Sequence, residues 1–295
     1  MNKFDEKLCE QKKSSCCFKK ILQCIPAKLK NKAPRVAVIR LSGVIGAVGS
    51  FKKGLSLDEL VDDIEDAFDV SNLKAVALQI NSPGGSPVQS ELIYKRVRAL
   101  SEEKNIPVIS FVEDVAASGG YWLACTGDEI YASTSSIVGS IGVISAGFGF
   151  VDAIKKLGVE RRVYSQGNNK SILDPFQKEK PEDIEILKSA QKEVHEAFKN
   201  LVRQRRKGKI KDSDEDKLFN GEFWSGGQAK DLGLVDEIGD LYSVIRAKYG
   251  DKVKFEKISK PKGWLKRKLG VFQENIVSNV ISSVEEGQAW KRFGL

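Results

Sequence analysis

Short, near-continuous apolar runs alternate with longer amphipathic segments from Arg35 onward, and this alternation leaves few folds open. Val36–Leu41 (VAVIRL), Ala75–Ile80 (AVALQI) and Pro107–Val112 (PVISFV) carry apolar residues on both faces. Such runs suit strands covered on two sides in a parallel sheet, not the half-solvated strands of an antiparallel one. The segments between them have helical periods. Leu55–Phe68 predicts a helix with Ser56 as N-cap and Glu59 three residues later, a capping-box spacing. Glu91–Ser101 predicts another. Strands alternating with helices of this length specify βαβ units and an α/β fold.

The order continues past Tyr131. A Gly/Ser-rich stretch, SSIVGSIGVIS, precedes a predicted helix at Val151–Leu157 and a predicted strand at Arg162–Ser165. Pro181–Arg206 predicts a long amphipathic helix with Ile184, Leu187, Val194, Phe198 and Leu201 on its apolar stripe. Phe223–Asp240 predicts a helix with a glycine stop, leading into a helix at Leu241–Tyr249. The 295 residues thus divide into a basic N-terminal extension (1–34), one domain with ample chain for a continuous core (35–250), and a basic C-terminal extension (251–295). In the last of these Leu265, Leu269, Phe272, Ile276, Val280 and Val284 recur at amphipathic helical spacing.

Charge follows the same division. The net charge is +8, but residues 1–34 hold nine lysines against three acids, and residues 251–295 ten basic residues against five acids. The body carries 29 basic and 32 acidic residues. Basic ends suit peripheral contact with an anionic membrane surface. With no basic groove interleaved with aromatics in the body, nucleic acid is not expected as a partner. The apolar run Ile21–Ala27 is broken by Pro26 and far short of the roughly 20 residues of a membrane span. It also makes a poor signal-peptide core, so the expected location is cytoplasmic, peripheral at the membrane surface. A single histidine and five cysteines without zinc-ligand spacing give no reason to expect a metal or organic cofactor.

Two glycine-rich turns follow predicted strands: NSPGG (Asn81–Gly85) after AVALQI, and AASGG (Ala116–Gly120) after PVISFV. In α/β sheets ligands bind at the carboxyl ends of strands. Glycines there let backbone N–H groups face a cleft, and two such donors make an oxyanion hole for acyl chemistry. Ser118 is then either the N-cap of the next helix or a nucleophile, and a nucleophile needs a base. His195 lies in a charge-rich helix. Lys170, in SQGNNKSILDPF, is set apart by Gly167 and Pro175, although lysines in polar loops are ordinarily solvated. On the residues alone both readings stay open.

The run NSPGG, DVAASGGYW, GSIGV, GNNKS with DPF behind it, and GGQAKDLGLVDEIG resembles the signal peptide peptidase A (protease IV) family of serine peptidases. The resemblance spans about Arg35 to Tyr249. It implies a Clp-protease/crotonase-like fold and a homo-oligomer of ring or dome shape. It also implies hydrolysis of extended peptides, such as signal-peptide remnants or membrane-protein segments, without a cofactor. By this resemblance Ser118 is the nucleophile and Lys170 the general base, Ser140 orients the lysine amine, and the N–H groups of Gly85 and Gly119 form the oxyanion hole. Bacterial members usually carry an N-terminal membrane anchor, a feature not seen in this sequence. Two alternatives stand beside this reading. One is a crotonase-type acyl-CoA enzyme using cleft carboxylates, for which Glu113 and Asp114 are nearest, otherwise solvated turn residues. The other is a non-catalytic membrane scaffold in which Ser118 only caps a helix.

Overall fold

The computed structural model describes residues 33–48, 52–258, 287 and 289–294. The sequence expectations for residues 1–32 and for the periodic segment Leu265–Val284 lie outside the described residues. The three apolar runs form β1 (Arg35–Ser42), β4 (Leu73–Ser82) and β5 (Val108–Ala117). With β6 (Glu129–Ala132), β9 (Glu237–Ile238) and β10 (Lys254–Ile258) they make a parallel path in the order β10-β1-β4-β5-β6-β9. The α/β expectation holds. β7 (Ile137–Gly139) pairs parallel to the far end of β5, and β8 (Phe223–Ser225) adds the antiparallel step beside it. A short hairpin, β2 (Ala47–Val48) and β3 (Lys52–Lys53), stands apart from the main sheet. The sheet also runs past residue 250, so five residues assigned by composition to the C-terminal extension are its edge strand.

Alternation along each strand feeds two cores. Ile39, Leu78, Ile80 and Val112 face helices α1 (Leu57–Phe68), α2 (Pro87–Lys104) and α3 (Gly119–Ala124). Val36, Val38, Ala77, Ile109 and Phe111 face α8 (Leu241–Tyr249) through Leu241 and Ile245. Helix α1 starts one residue after its N-cap Ser56, whose hydroxyl accepts the Glu59 N–H at 3.4 Å. Helix α2 is longer than the periodicity indicates, because Pro87 fits its first turn and Ser86 caps it. At the far end of β5, Val115 and Ala117 form a third cluster with Ile137, Trp290 and Phe293.

Residues 143–180 form an arm that adds no strand to the sheet. It holds the short helix α4 (Val151–Lys156). The strand expected at Arg162–Ser165 is not formed: no neighbouring strand offers a ladder, and these residues are exposed or nearly so. The predicted helix at Phe223–Asp240 is also divided. Phe223–Ser225 pairs as β8, α7 (Gly226–Asp231) follows under a Ser225–Gln228 capping box, and Gly233 at φ 78° stops it. Four residues, Glu215–Leu218, make the remaining helix α6.

Helix α5 (Pro181–Arg205) joins the arm to the body. Only its last turns are buried: Phe198 stacks on Trp122 at 4.9 Å between ring centroids, and Leu201 and Val202 join the core. Beyond it Arg206, 1% exposed, donates to Gly233 O and Asp236 Oδ2, each at 2.8 Å. Lys209 reaches the other Asp236 oxygen at 2.5 Å, and the Ile130 N–H donates to Asp236 Oδ2 at 2.7 Å. Burial alone would raise the Asp236 carboxyl, but the bonds from Arg206 and Lys209 outweigh it and hold it below its ordinary value.

A carboxyl held low in the folded state contributes stability that is present above its unfolded value and is lost as the pH falls through the folded one. Arg206→Met leaves Asp236 half-paired and is expected to lower the unfolding free energy by about 3 kcal/mol. The melting-temperature gap between the wild type and Asp236→Asn should be widest near neutrality. It should shrink as the pH is lowered from about 5 through the carboxylate range, which calorimetry across that range will read.

Candidate active site

Strand β5 ends at Ala117, and the next residue turns the chain into α3. Ser118 does so at φ 53°, ψ −123°, a left-handed backbone that costs a non-glycine residue about 1–3 kcal/mol. Three bonds hold it there. Its N–H donates to Gly139 O at 2.8 Å, and its carbonyl accepts from Tyr121 N at 2.9 Å and Trp122 N at 3.0 Å. It stands at the N-cap position of α3, yet its hydroxyl makes no capping hydrogen bond. The cap alternative raised by the sequence therefore has no bond to support it. The hydroxyl is half-buried and free for other work.

Glycine is required opposite it. A side chain on Gly84 (φ 103°) would meet Ser118 Cβ at 2.8 Å and Gly119 N at 2.9 Å. One on Gly85 (φ 143°) would run into Ile45 O at 2.1 Å. Ile45 N donates to Gly84 O at 2.9 Å and Ser86 N to Ile45 O at 2.8 Å, a bridge that passes over the Gly85 N–H. Gly119 opens α3, where a backbone N–H has no intrahelical acceptor. Among the described residues neither N–H donates to a backbone carbonyl. The position that a Gly119 side chain would fill is 3.4 Å from Gly85 N, so the two donors lie side by side next to Ser118. Neighbouring main-chain donors can hold a developing negative charge.

Ser140 follows Gly139, whose carbonyl holds Ser118. It is 6% exposed, at φ 53°, and its N–H donates to Glu222 O at 2.6 Å. The structure therefore brings Ser118, Gly85, Gly119 and Ser140 to one group of strand ends. It does not bring Lys170 to them. Lys170 is exposed in the arm, its backbone N–H donating to Gly167 O at 3.1 Å. Among the described residues its amine has no hydrogen bond or ion pair. His195 Nε2 lies 3.3 Å from Ile141 O, a main-chain contact that ties α5 to the segment after Ser140.

Glu113 and Asp114 are strand residues, not turn residues. They lie within β5, where Glu113 accepts from Arg40 at 3.0 Å and Gln79 at 2.7 Å, and Asp114 accepts from Asn81 Nδ2 at 2.7 Å. Glu113 is paired with Arg40 and Gln79 and Asp114 with Asn81, so neither carboxylate stands as the unengaged cleft acid that a crotonase-type reaction needs. Arg40 and Gln79 belong to no motif that stands out in the sequence. The signal for Asn81 was its place at the head of NSPGG.

Among the described residues no helix is long and apolar enough to cross a membrane. The model of Peptidase family S49 matches residues 101–254, a stretch that includes Ser118, Ser140 and Lys170. The chain is 48% identical over 92% of its length to a Brucella melitensis protein named Na(+)/H(+) antiporter NhaA, and spans 38% of that protein. It is 33% identical to Protease 4 of Haemophilus influenzae, over 77% of this chain and 37% of the relative. A putative protease of Synechocystis is 30% identical over 80% of this chain and 83% of its own length. A peptidase-family match over more than half the chain, a protease relative aligned over most of both lengths, and a serine turn beside paired glycine donors agree: the chain belongs to peptidase family S49.

Proposed function

We propose that the chain is a serine endopeptidase in which Ser118 is the nucleophile and Lys170 the general base. The observation that carries this reading is the uncapped, strained Ser118 hydroxyl next to the free N–H groups of Gly85 and Gly119. The neutral Lys170 amine takes the Ser118 proton as Oγ attacks the peptide carbonyl. The two backbone donors hold the resulting oxyanion. Lys170 passes its proton to the leaving amine as the C–N bond breaks, then takes one from the water that attacks the acyl-enzyme and returns it to Ser118 Oγ as the ester C–O bond breaks. Ser140 orients the lysine amine. Extended peptides, including signal-peptide remnants and membrane-protein segments, are the substrates.

The base arrives from a second copy of the chain. Lys170 is solvated on an arm whose Ile144, Phe148, Leu157 and Tyr164 are 71%, 75%, 77% and 91% exposed. Single exposed apolar residues are ordinary, but this many on one segment favour an interface. A heterologous contact repeated around a closed ring would seat each arm at the next copy's Ser118. The relatives named as antiporters support action close to a membrane, as do the basic ends of the chain.

Hydrolysis of fluorogenic peptides with small apolar residues before the scissile bond tests the dyad. Ser118→Ala and Lys170→Ala should each lose about 10³-fold or more in kcat with KM little changed. Co-expressed in equal amounts, the two inactive variants should recover about a quarter of wild-type activity, the share of adjacent pairs in a ring with both intact groups. No recovery would place the dyad within one chain, and activity surviving Lys170→Ala would move the base elsewhere.

Membrane contact is tested separately. The full chain should float with vesicles rich in phosphatidylglycerol, stay behind with phosphatidylcholine vesicles, and be released as salt shortens the Debye length to about 3 Å at 1 M. Equal flotation with both vesicle types would remove the role given to the basic ends.

A further inference from the structure

The two glycine turns come from different strands, and their alignment depends on an irregularity between those strands. Pairing of β4 with β5 runs regularly to Ile80 opposite Val112, then resumes with Ser82 opposite Ala116. One residue of β4, Asn81, therefore faces three of β5: Glu113, Asp114 and Val115. A bulge of this kind leaves backbone groups without ladder partners and re-aims the strand beyond it. Here the group at risk is the N–H of Val115, a fully buried residue. Asn81 Oδ1 accepts it at 3.2 Å, while Asn81 Nδ2 donates to Asp114 Oδ2 at 2.7 Å. The Asn81 side chain thus takes the place of the missing ladder, and Asp114 holds its amide in the orientation that presents oxygen to Val115.

The positions give this lock its consequence. Asn81 lies four residues before Gly85, and Asp114 four residues before Ser118. Both intervening segments are short and tightly placed: Gly84 N donates to Ser82 Oγ at 3.2 Å, and a side chain on Gly120 would meet Ser82 O at 2.4 Å. A slip at the bulge therefore passes directly into the spacing of Gly85 N from Ser118 and Gly119.

We propose that Asn81 and Asp114 are positioning residues for the oxyanion hole, their side-chain pair fixing the bulge that aligns Gly85 with Ser118 and Gly119. This rests on the reading of Ser118 as nucleophile. Neither residue touches substrate; each acts through the backbone donors. Displacing such a donor by a fraction of an ångström weakens the transition state more than the bound peptide.

The test measures kcat, KM and the thermal midpoint for Asn81→Ala, Asp114→Ala, Asp114→Asn and Ser118→Ala. Asn81→Ala and Asp114→Ala should lower kcat by about 10- to 100-fold with KM within about threefold. Asp114→Asn keeps an acceptor for the Asn81 amide and should recover kcat to within about threefold of wild type. Asn81→Ala uncovers a buried N–H and can fail to fold. Asp114 is exposed, so its variants keep the test decisive. An inactive Ser118→Ala beside a folded Asp114→Ala of wild-type kcat would overturn the positioning role alone, as would an Asp114→Asn no better than Asp114→Ala. Wild-type activity in Ser118→Ala would overturn the serine reading and this inference with it.

Discussion

The hydrogen bond from Ser118 N to Gly139 O holds a serine in a backbone conformation it would not choose. It exists because β5 changes partner along its length. Ile109 to Val112 pair with β6, and Val115 to Ala117 pair with β7. Between the two ladders Ser136 Oγ donates to Glu113 O at 2.5 Å and accepts from Ser133 N at 3.0 Å, so the crossover leaves the Glu113 carbonyl partnered. β7 then arrives with a glycine at its end, and a side chain on Gly139 would lie 2.7 Å from the Trp224 ring. Trp224 of β8 thus presses β7 against the end of β5, and the strain at Ser118 is borne by packing on the strand that holds it.

Helix α5 extends that support toward the arm. Its 25 residues span about 37 Å at the rise of an α-helix. Its C-terminal end is fixed twice, to α3 and to the residues that follow it. Phe198 stacks on Trp122 of α3, and Arg205 donates to Cys125 O and Gly127 O, each at 2.9 Å, just past the end of that helix. A guanidinium on the last carbonyls of a helix is favourable both as a hydrogen bond and against the helix dipole. Burial pushes the neighbouring Cys125 thiol up to about 12, so it stays a neutral packing group. The arm that carries Lys170 and the helix that begins beside Ser118 are therefore joined by one rigid element with a firmly seated end.

How much of this the chain announces depends on the length of the signal. β1, β4 and β5 are long apolar runs, and the helices over Leu57–Phe68 and Leu241–Tyr249 have caps and periodicity, so local chemistry suffices for them. β7 and β8 have three residues each and exist only because Ile137–Gly139 meets Phe223–Ser225 from far along the chain. No local pattern encodes that meeting, and Phe223 looks helical from its downstream neighbours. Arg162–Ser165 errs the other way, with strand-like residues that lack an adjacent strand. Within the site Ser118 and the glycines stand out because a turn needs them. Asn81 and Asp114 stand in the quoted motifs, but their pairing with each other does not show, since it arises from a two-residue difference in strand register that a single sequence does not display.

The same register decides where the acidic residues near Ser118 are engaged. A carboxylate beside an amine favours the ammonium form. Glu113 stands on the face of the sheet that Ile109 and Phe111 share with α8, where Arg40 and Gln79 engage it. The glycine donors lie toward Ile45 and Ser90, on the α1 and α2 side. Asp114 is spent on Asn81. In the proposed mechanism the base therefore enters a site built from hydroxyls and main-chain N–H groups, and those backbone donors hold the oxyanion. The two carboxylates that precede the Ser118 turn are each taken up by side chains of the neighbouring strands, Glu113 by Arg40 and Gln79, Asp114 by Asn81.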